Sequence, residues 1–145
     1  MADKEDYNVQ WDTFSNHLQD MLQNMFEEND MMDVTLVCDD KTKLHAHKTV
    51  LCAFSEVFKN IIKDLSIVKP VIFLRGINHK EMKSILEFIY LGNTRIKPEN
   101  VNEFLHVATT LELKEISNNV ALFQQNAVCK TDSDFIEEKK MLMLF

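Results

Sequence analysis

Asp33-Val34-Thr35-Leu36-Val37-Cys38, followed by Asp39-Asp40-Lys41-Thr42 and then by Lys43-Leu44-His45-Ala46-His47-Lys48-Thr49-Val50-Leu51, decides the fold of this chain. In the first segment Val34, Leu36 and Cys38 alternate with Thr35, Val37 and Asp39. That period of two is the mark of a β-strand. The four residues Asp39 to Thr42 form a polar turn. Lys43 to His47 returns as a second strand, with Leu44 and Ala46 on one side. Lys48 then opens an apolar helical run through Val50, Leu51, Ala53 and Phe54. Strand, hairpin, strand and a helix opening on a basic residue form one continuous unit.

Working outward, Tyr7 to Gln10 alternates apolar and polar and reads as a short strand. From Trp11 the period changes. Trp11, Phe14, Leu18, Met21, Leu22, Met25 and Phe26 recur at helical spacing for about four turns. Asp12 suits the N-cap or the first turn, and Glu27 to Asp30 ends the helix. Beyond the hairpin, Ser55 is the expected N-cap of a helix that carries Val57, Phe58, Ile61 and Ile62. Pro70 stops it. Val71 to Leu74 is a continuous apolar run, which predicts a strand buried on both faces. Asn78 with Glu81 predicts a capping box for a helix that carries Met82, Ile85, Leu86 and Ile89 and ends at Gly92. Thr94-Arg95-Ile96 is a very short extended piece. Pro98 opens a helix with Val101, Phe104, Leu105, Ala108 and Leu111 inward. Leu113, Ile116, Val120 and Phe123 mark a final helix.

The chain has 145 residues, a size that favours one domain. With 46% hydrophobic residues it can bury a core, and with only two glycines it has no phosphate-cradling loop. A net charge of −7 repels phosphate backbones, so direct nucleic-acid contact by this domain is not expected. No apolar run approaches the roughly 20 residues of a membrane span. The charged start lacks a signal peptide's apolar core, and Met1 reads as a native start. Three irregularly spaced cysteines fit a reducing compartment better than a disulfide framework. His45 and His47 share a strand face, but no further ligands follow at metal-site spacing, and no metal or cofactor is expected. No nucleophile elbow surrounds any serine, so no enzyme is expected. The eight methionines lie largely on helical stripes and read as gap-filling core or interface.

These residues together resemble the BTB (POZ) domain family. The resemblance is carried by Asp33-Val34-Thr35-Leu36, Leu44 to Leu51, Ser55-Glu56-Val57-Phe58 and Leu86-Glu87-Phe88-Ile89-Tyr90-Leu91-Gly92. The start, Tyr7-x-x-x-Trp11-x-x-Phe14, resembles the Tramtrack-type subgroup of arthropod transcription factors. Gln10 and Asp12 depart from that subgroup's usual basic residue and Asn. The resemblance implies an α+β fold, a helical cluster flanked by a small mixed β-sheet, with an N-terminal strand exchanged in a dimer. It divides the chain into an arm (1–6), a BTB domain (7–126) and a C-terminal tail or linker (127–145).

By the same resemblance the first helices of two copies pack together, and Tyr7 to Gln10 pairs with Thr94 to Ile96 of the other copy. The expected interface is Tyr7, Val9, Trp11, Phe14, Leu18, Met21, Leu22 and Met25, with Thr94, Arg95 and Ile96. A strand with no hairpin neighbour needs an edge to join. The plain alternative is that the stripe from Trp11 to Phe26 is the core helix of a monomer. Asp33 and Lys48 match a charged pocket near the dimer seam. Their plain alternative is a structural ion pair between hairpin and helix, costing about 3–5 kcal/mol to break singly if buried.

The function implied is homo-oligomerisation of a nuclear transcription or chromatin regulator. Its partners would be itself, as a dimer or a hexamer of three dimers, other BTB proteins and co-regulators. DNA-contacting segments would lie after Phe145 or on a partner. The alternative is a cytoplasmic substrate adaptor for a cullin-type ubiquitin ligase. Members of that class often carry an apolar-x-Glu motif after the third helix, and Ile62 to Val68 has no Glu.

Overall fold

The computed structural model describes residues 4–117 and 142–144. Hairpin strands β1 (Val34–Val37) and β2 (Lys43–Ala46) pair antiparallel, with Leu36 opposite Leu44 and Val34 opposite Ala46. The turn closes through the Cys38 N–H to Thr42 O bond at 2.9 Å and the Lys41 N–H to Cys38 O bond at 2.8 Å. Lys41 takes a left-handed φ of 67° there. Helices α2 (Lys48–Phe54) and α3 (Glu56–Lys63) follow and return the chain to β3 (Val71–Leu74). β3 lies parallel to β1, and a crossover is what parallel pairing requires. β4 (Leu142–Leu144) pairs antiparallel with β3, giving a mixed sheet of order β2-β1-β3-β4.

The remaining helices are α1 (Phe14–Glu28), α4 (His79–Leu91), α5 (Val101–Thr110) and α6 (Lys114–Ser117), with a 3-10 turn over Pro98–Asn100 leading into α5. Met82, Ile85, Leu86 and Ile89 of α4 are all buried, as their spacing predicts. They meet Leu36, Leu51, Phe58, Ile72, Leu74 and Leu111 in one core. Ser55 ends α2 and starts α3. Its Oγ accepts the Phe58 N–H at 3.1 Å and donates to Leu111 O at 2.5 Å, so the predicted cap also ties this corner to the end of α5.

The structure departs from the sequence reading in several places. α1 starts at Phe14, with Thr13 and not Asp12 at its N-cap. The Thr13 hydroxyl accepts the Trp11 indole N–H at 3.0 Å, so this turn is fixed from outside the helix. β3 is not buried on both faces: Ile72 and Leu74 point into the core while Phe73 is exposed. The Asn78–Glu81 capping box does not close. Asn78 is the N-cap but makes no side-chain cap bond, and Glu81 Oε2 is buried without a hydrogen-bond partner. In α5, Val107 is buried, while Val101 and Leu105 are only half-buried. Val120 and Phe123, expected in the final helix, and most of the expected tail 127–145 lie outside the described residues.

Candidate protein-interaction surface

α1 is amphipathic, yet none of its residues is buried within the chain. Its apolar stripe is split. Leu22, Met25 and Phe26, toward the C-terminal end, pack against the core, and the Phe26 ring lies 5.1 Å from that of Tyr90 on α4. The N-terminal half faces outward. Trp11 is 55% exposed, Phe14 52%, Leu18 39% and Met21 44%. Trp11 makes an edge contact with Phe14 at 5.4 Å and a tilted contact with His17 at 4.9 Å. Four large apolar side chains thus form one contiguous exposed face, the kind that marks an interaction site.

Ahead of that face, Lys4 to Gln10 has no secondary structure and is exposed throughout, with Tyr7 95% and Val9 92% exposed. Thr94 to Ile96 likewise has no strand partner among the described residues. Thr94 and Ile96 are half-buried while Arg95 is exposed, a period of two that leaves a strand-like edge. Thr94 donates to Glu87 Oε2 at 3.0 Å, and Ile96 packs on the core. Within one chain these two segments do not pair. A half-open apolar cleft of about 430 Å³ lies between Phe88, Ile96, Val101, Phe104, Leu105 and Ile116.

Asp33 and Lys48 do come together. Asp33 Oδ1 accepts the Lys48 main-chain N–H at 2.7 Å, which supplies a cap for α2 that its N-cap residue His47 does not. Lys48 Nζ stands 4.0 Å from Asp33 Oδ2 and donates to Val68 O at 2.9 Å. Both side chains are partly exposed, so the carboxylate's main work is capping, and the ion pair is weaker than a buried one.

Sequence patterning missed a buried polar network beside this pair. His47 does not share a face with His45. The strand ends at Ala46, and His47 turns inward, 4% exposed. Its N–H donates to the Tyr90 hydroxyl at 2.9 Å, its Nδ1 lies 2.7 Å from the same oxygen, and its Nε2 lies 2.6 Å from Asp30 O. With Nε2–H donating to Asp30, Nδ1 accepts the Tyr90 proton. His45 stays outside, 3.2 Å from Thr35 Oγ1. Burial pushes Tyr90 up to about 12, against the pull of the His47 N–H bond. Burial also pushes the Cys38 thiol up to about 11, with Asp40 and Glu81 adding to it. Only Tyr90's place in the periodic motif Leu86 to Gly92 signalled that it points inward.

A protein-family model described as the BTB/POZ domain matches residues 22–127. Among curated proteins of Drosophila melanogaster, Longitudinals lacking protein-like is 29% identical over 117 residues, covering 81% of this chain and 91% of that protein. Protein abrupt is 28% identical over 79% of this chain, and the Broad-complex core protein 26% over 83%. The chain spans only 13% and 16% of those two. Among solved structures, the BTB domain of zebrafish PATZ1 superposes with a TM-score of 0.72 at 22% identity, covering 84% of this chain and all of that one.

Proposed function

The chain belongs to the BTB/POZ domain family of protein–protein interaction modules, and from that premise we propose that it pairs with itself through α1 and the segment before it, within a nuclear regulator of transcription. The observation that carries this reading is the outward half of α1 together with Trp11 in the turn before it. Trp11, Phe14, Leu18 and Met21 are exposed although the helix is otherwise seated on the core. Fully burying a large apolar side chain is worth about 1.5–3 kcal/mol. Covering these half-exposed ones against a second α1 recovers part of that for each of eight side chains across a twofold axis. Leu22 and Met25, expected in the same interface, are half-buried against the chain's own core.

The exposed segment Tyr7 to Gln10 and the unpaired edge Thr94 to Ile96 complete the interface. Each lacks a strand partner among the described residues, and joining them between copies satisfies both. Asp33 and Lys48 form a part-exposed charged patch at the entry to α2, which on this reading is a contact point for co-regulator proteins. Pairing would raise the effective concentration of whatever DNA-contacting segments the copies or their partners hold.

Light scattering across a concentration series tests the central claim. The expected mass is at least twice the 17.0 kDa of one chain. The double variant L18D/M21D is expected to lose that mass. A persistent wild-type monomer, or a double variant that keeps the wild-type mass, would overturn the reading.

A further inference from the structure

One cleft reverses the charge of the molecule. In a chain of net charge −7, Lys80, Arg95 and Lys97 line a cavity of about 300 Å³ together with Glu81, Ser84 and Phe104. All three cations are exposed, and none forms an ion pair among the described residues. Three cations face one carboxylate there. Lys80 lies in the first turn of α4, where the helix amides add to the positive potential. Arg95, with Ile96, belongs both to this lining and to the unpaired edge 94–96. The sequence has a matching piece of opposite sign. Asp3, Lys4, Glu5 and Asp6 precede Tyr7, three carboxylates against one ammonium, and Lys4 to Asp6 is exposed.

We infer that the acidic arm of one copy, Asp3 to Asp6, docks in the cleft lined by Lys80, Arg95 and Lys97 of a second copy and steers the pairing of the strand that follows it. This rests on the self-pairing proposed above and adds its direction and its electrostatics. If the segment 7–10 runs antiparallel to 94–96, the residues before Tyr7 continue past Ile96 toward Lys97 and the cleft. Run parallel, they would lead away from it, over Asn93. Extended chain covers about 3.3 Å per residue, so the six residues ahead of Tyr7 reach roughly 20 Å, enough to lie along the cleft. Opposite charges that meet at the rim of an interface act mainly on register and encounter rate. Their effect fades once salt shortens the screening length to a few ångström.

The test uses the full chain as a mixture of natural and ¹⁵N-labelled copies, equilibrated at low salt and coupled with a carbodiimide. The expected product is an isotope-mixed peptide that joins Asp3, Glu5 or Asp6 to Lys80 or Lys97. In parallel, the arm is neutralised with D3N/E5Q/D6N; Glu5 and Asp6 lie in an exposed stretch without secondary structure, and far-ultraviolet dichroism checks that the fold is kept. Its dimer dissociation constant is expected to rise roughly three- to tenfold at low salt. The difference is expected to vanish near 1 M salt. A copy with D3K/E5K/D6K should pair with a K80E/R95E/K97E copy in preference to itself. A dimeric wild type with no isotope-mixed cross-link, or with cross-links only within one copy, would overturn the arm contact and leave self-pairing intact. So would an arm variant whose dissociation constant matches wild type at every salt. A monomeric wild type would instead remove the pairing on which the contact rests.

Discussion

Tyr90 occupies the point where hairpin, α1 and α4 are held to one another. Its hydroxyl serves both the main-chain N–H and the Nδ1 of His47, and His47 in turn reaches Asp30 O just beyond α1. Y90F removes one oxygen and leaves two buried nitrogens without their partner. The expected loss is about 1–3 kcal/mol, read as a lower melting temperature at neutral pH. The phenol also sets an alkaline limit. Its folded pKa is raised, so its contribution is complete below the ordinary value of 10.0 and is lost as pH rises through about 12. Circular-dichroism melts from pH 9 to 12 should show that loss in wild type and a shallower one in Y90F. Asp33 and Lys48 are unequal partners. D33A removes the cap of α2 and should cost about 0.5–2 kcal/mol. K48M removes a part-exposed pair at 4.0 Å and an exposed hydrogen bond to Val68 O, and should cost less than about 1 kcal/mol by denaturant titration.

At the scale of elements, the helices divide by what covers them. α4 is clad on its apolar face by the chain itself and ends cleanly. Gly92 takes φ 79° and its N–H bonds Phe88 O at 2.9 Å. A Cβ at Gly92 would meet nothing within 4 Å, so G92A is opposed by conformation alone. The expected cost is about 1–2 kcal/mol, with α4 otherwise unchanged by amide exchange. I85A, in the middle of α4, leaves a cavity in a fully buried position and should cost about 2–5 kcal/mol in urea unfolding. α1 is the opposite case, seated by its C-terminal half and uncovered at its N-terminal half. L18D/M21D should therefore change the mass of the assembly far more than the sheet, and light scattering beside far-ultraviolet dichroism separates the two effects.

For the whole molecule, the proposed assembly is built from parts that the described residues of one chain leave uncovered or unpaired: the outer face of α1, the segment 7–10, the edge 94–96 and the basic cleft beside it. Deleting Met1 to Gln10 removes the segment and the arm together but leaves the α1 face. Self-association should weaken while the thermal transition of the core stays cooperative, as read by sedimentation and dichroism on the same sample. An unchanged dissociation constant would show that α1 alone holds the copies together.

Periodicity and caps made most of the elements legible. The hairpin needs only alternation at Val34 to Cys38 and a polar turn, and α4 needs only its apolar spacing and Gly92. Both are set by local chemistry that a linear sequence contains. The sequence also determined that α1 would be amphipathic and that Asp33 and Lys48 would carry opposite charges. It did not determine which half of the α1 stripe the chain would cover. It did not turn Phe73 outward, leave Glu81 uncapped or join His47 to Tyr90 forty-three residues away. Those outcomes depend on which surfaces meet once the sheet and helices pack, and burial is a property of that meeting. The same packing brought Lys80 beside Arg95 and Lys97, a cluster that no spacing in the chain announces, because helix α4 and the segment after it fold back on each other only in three dimensions.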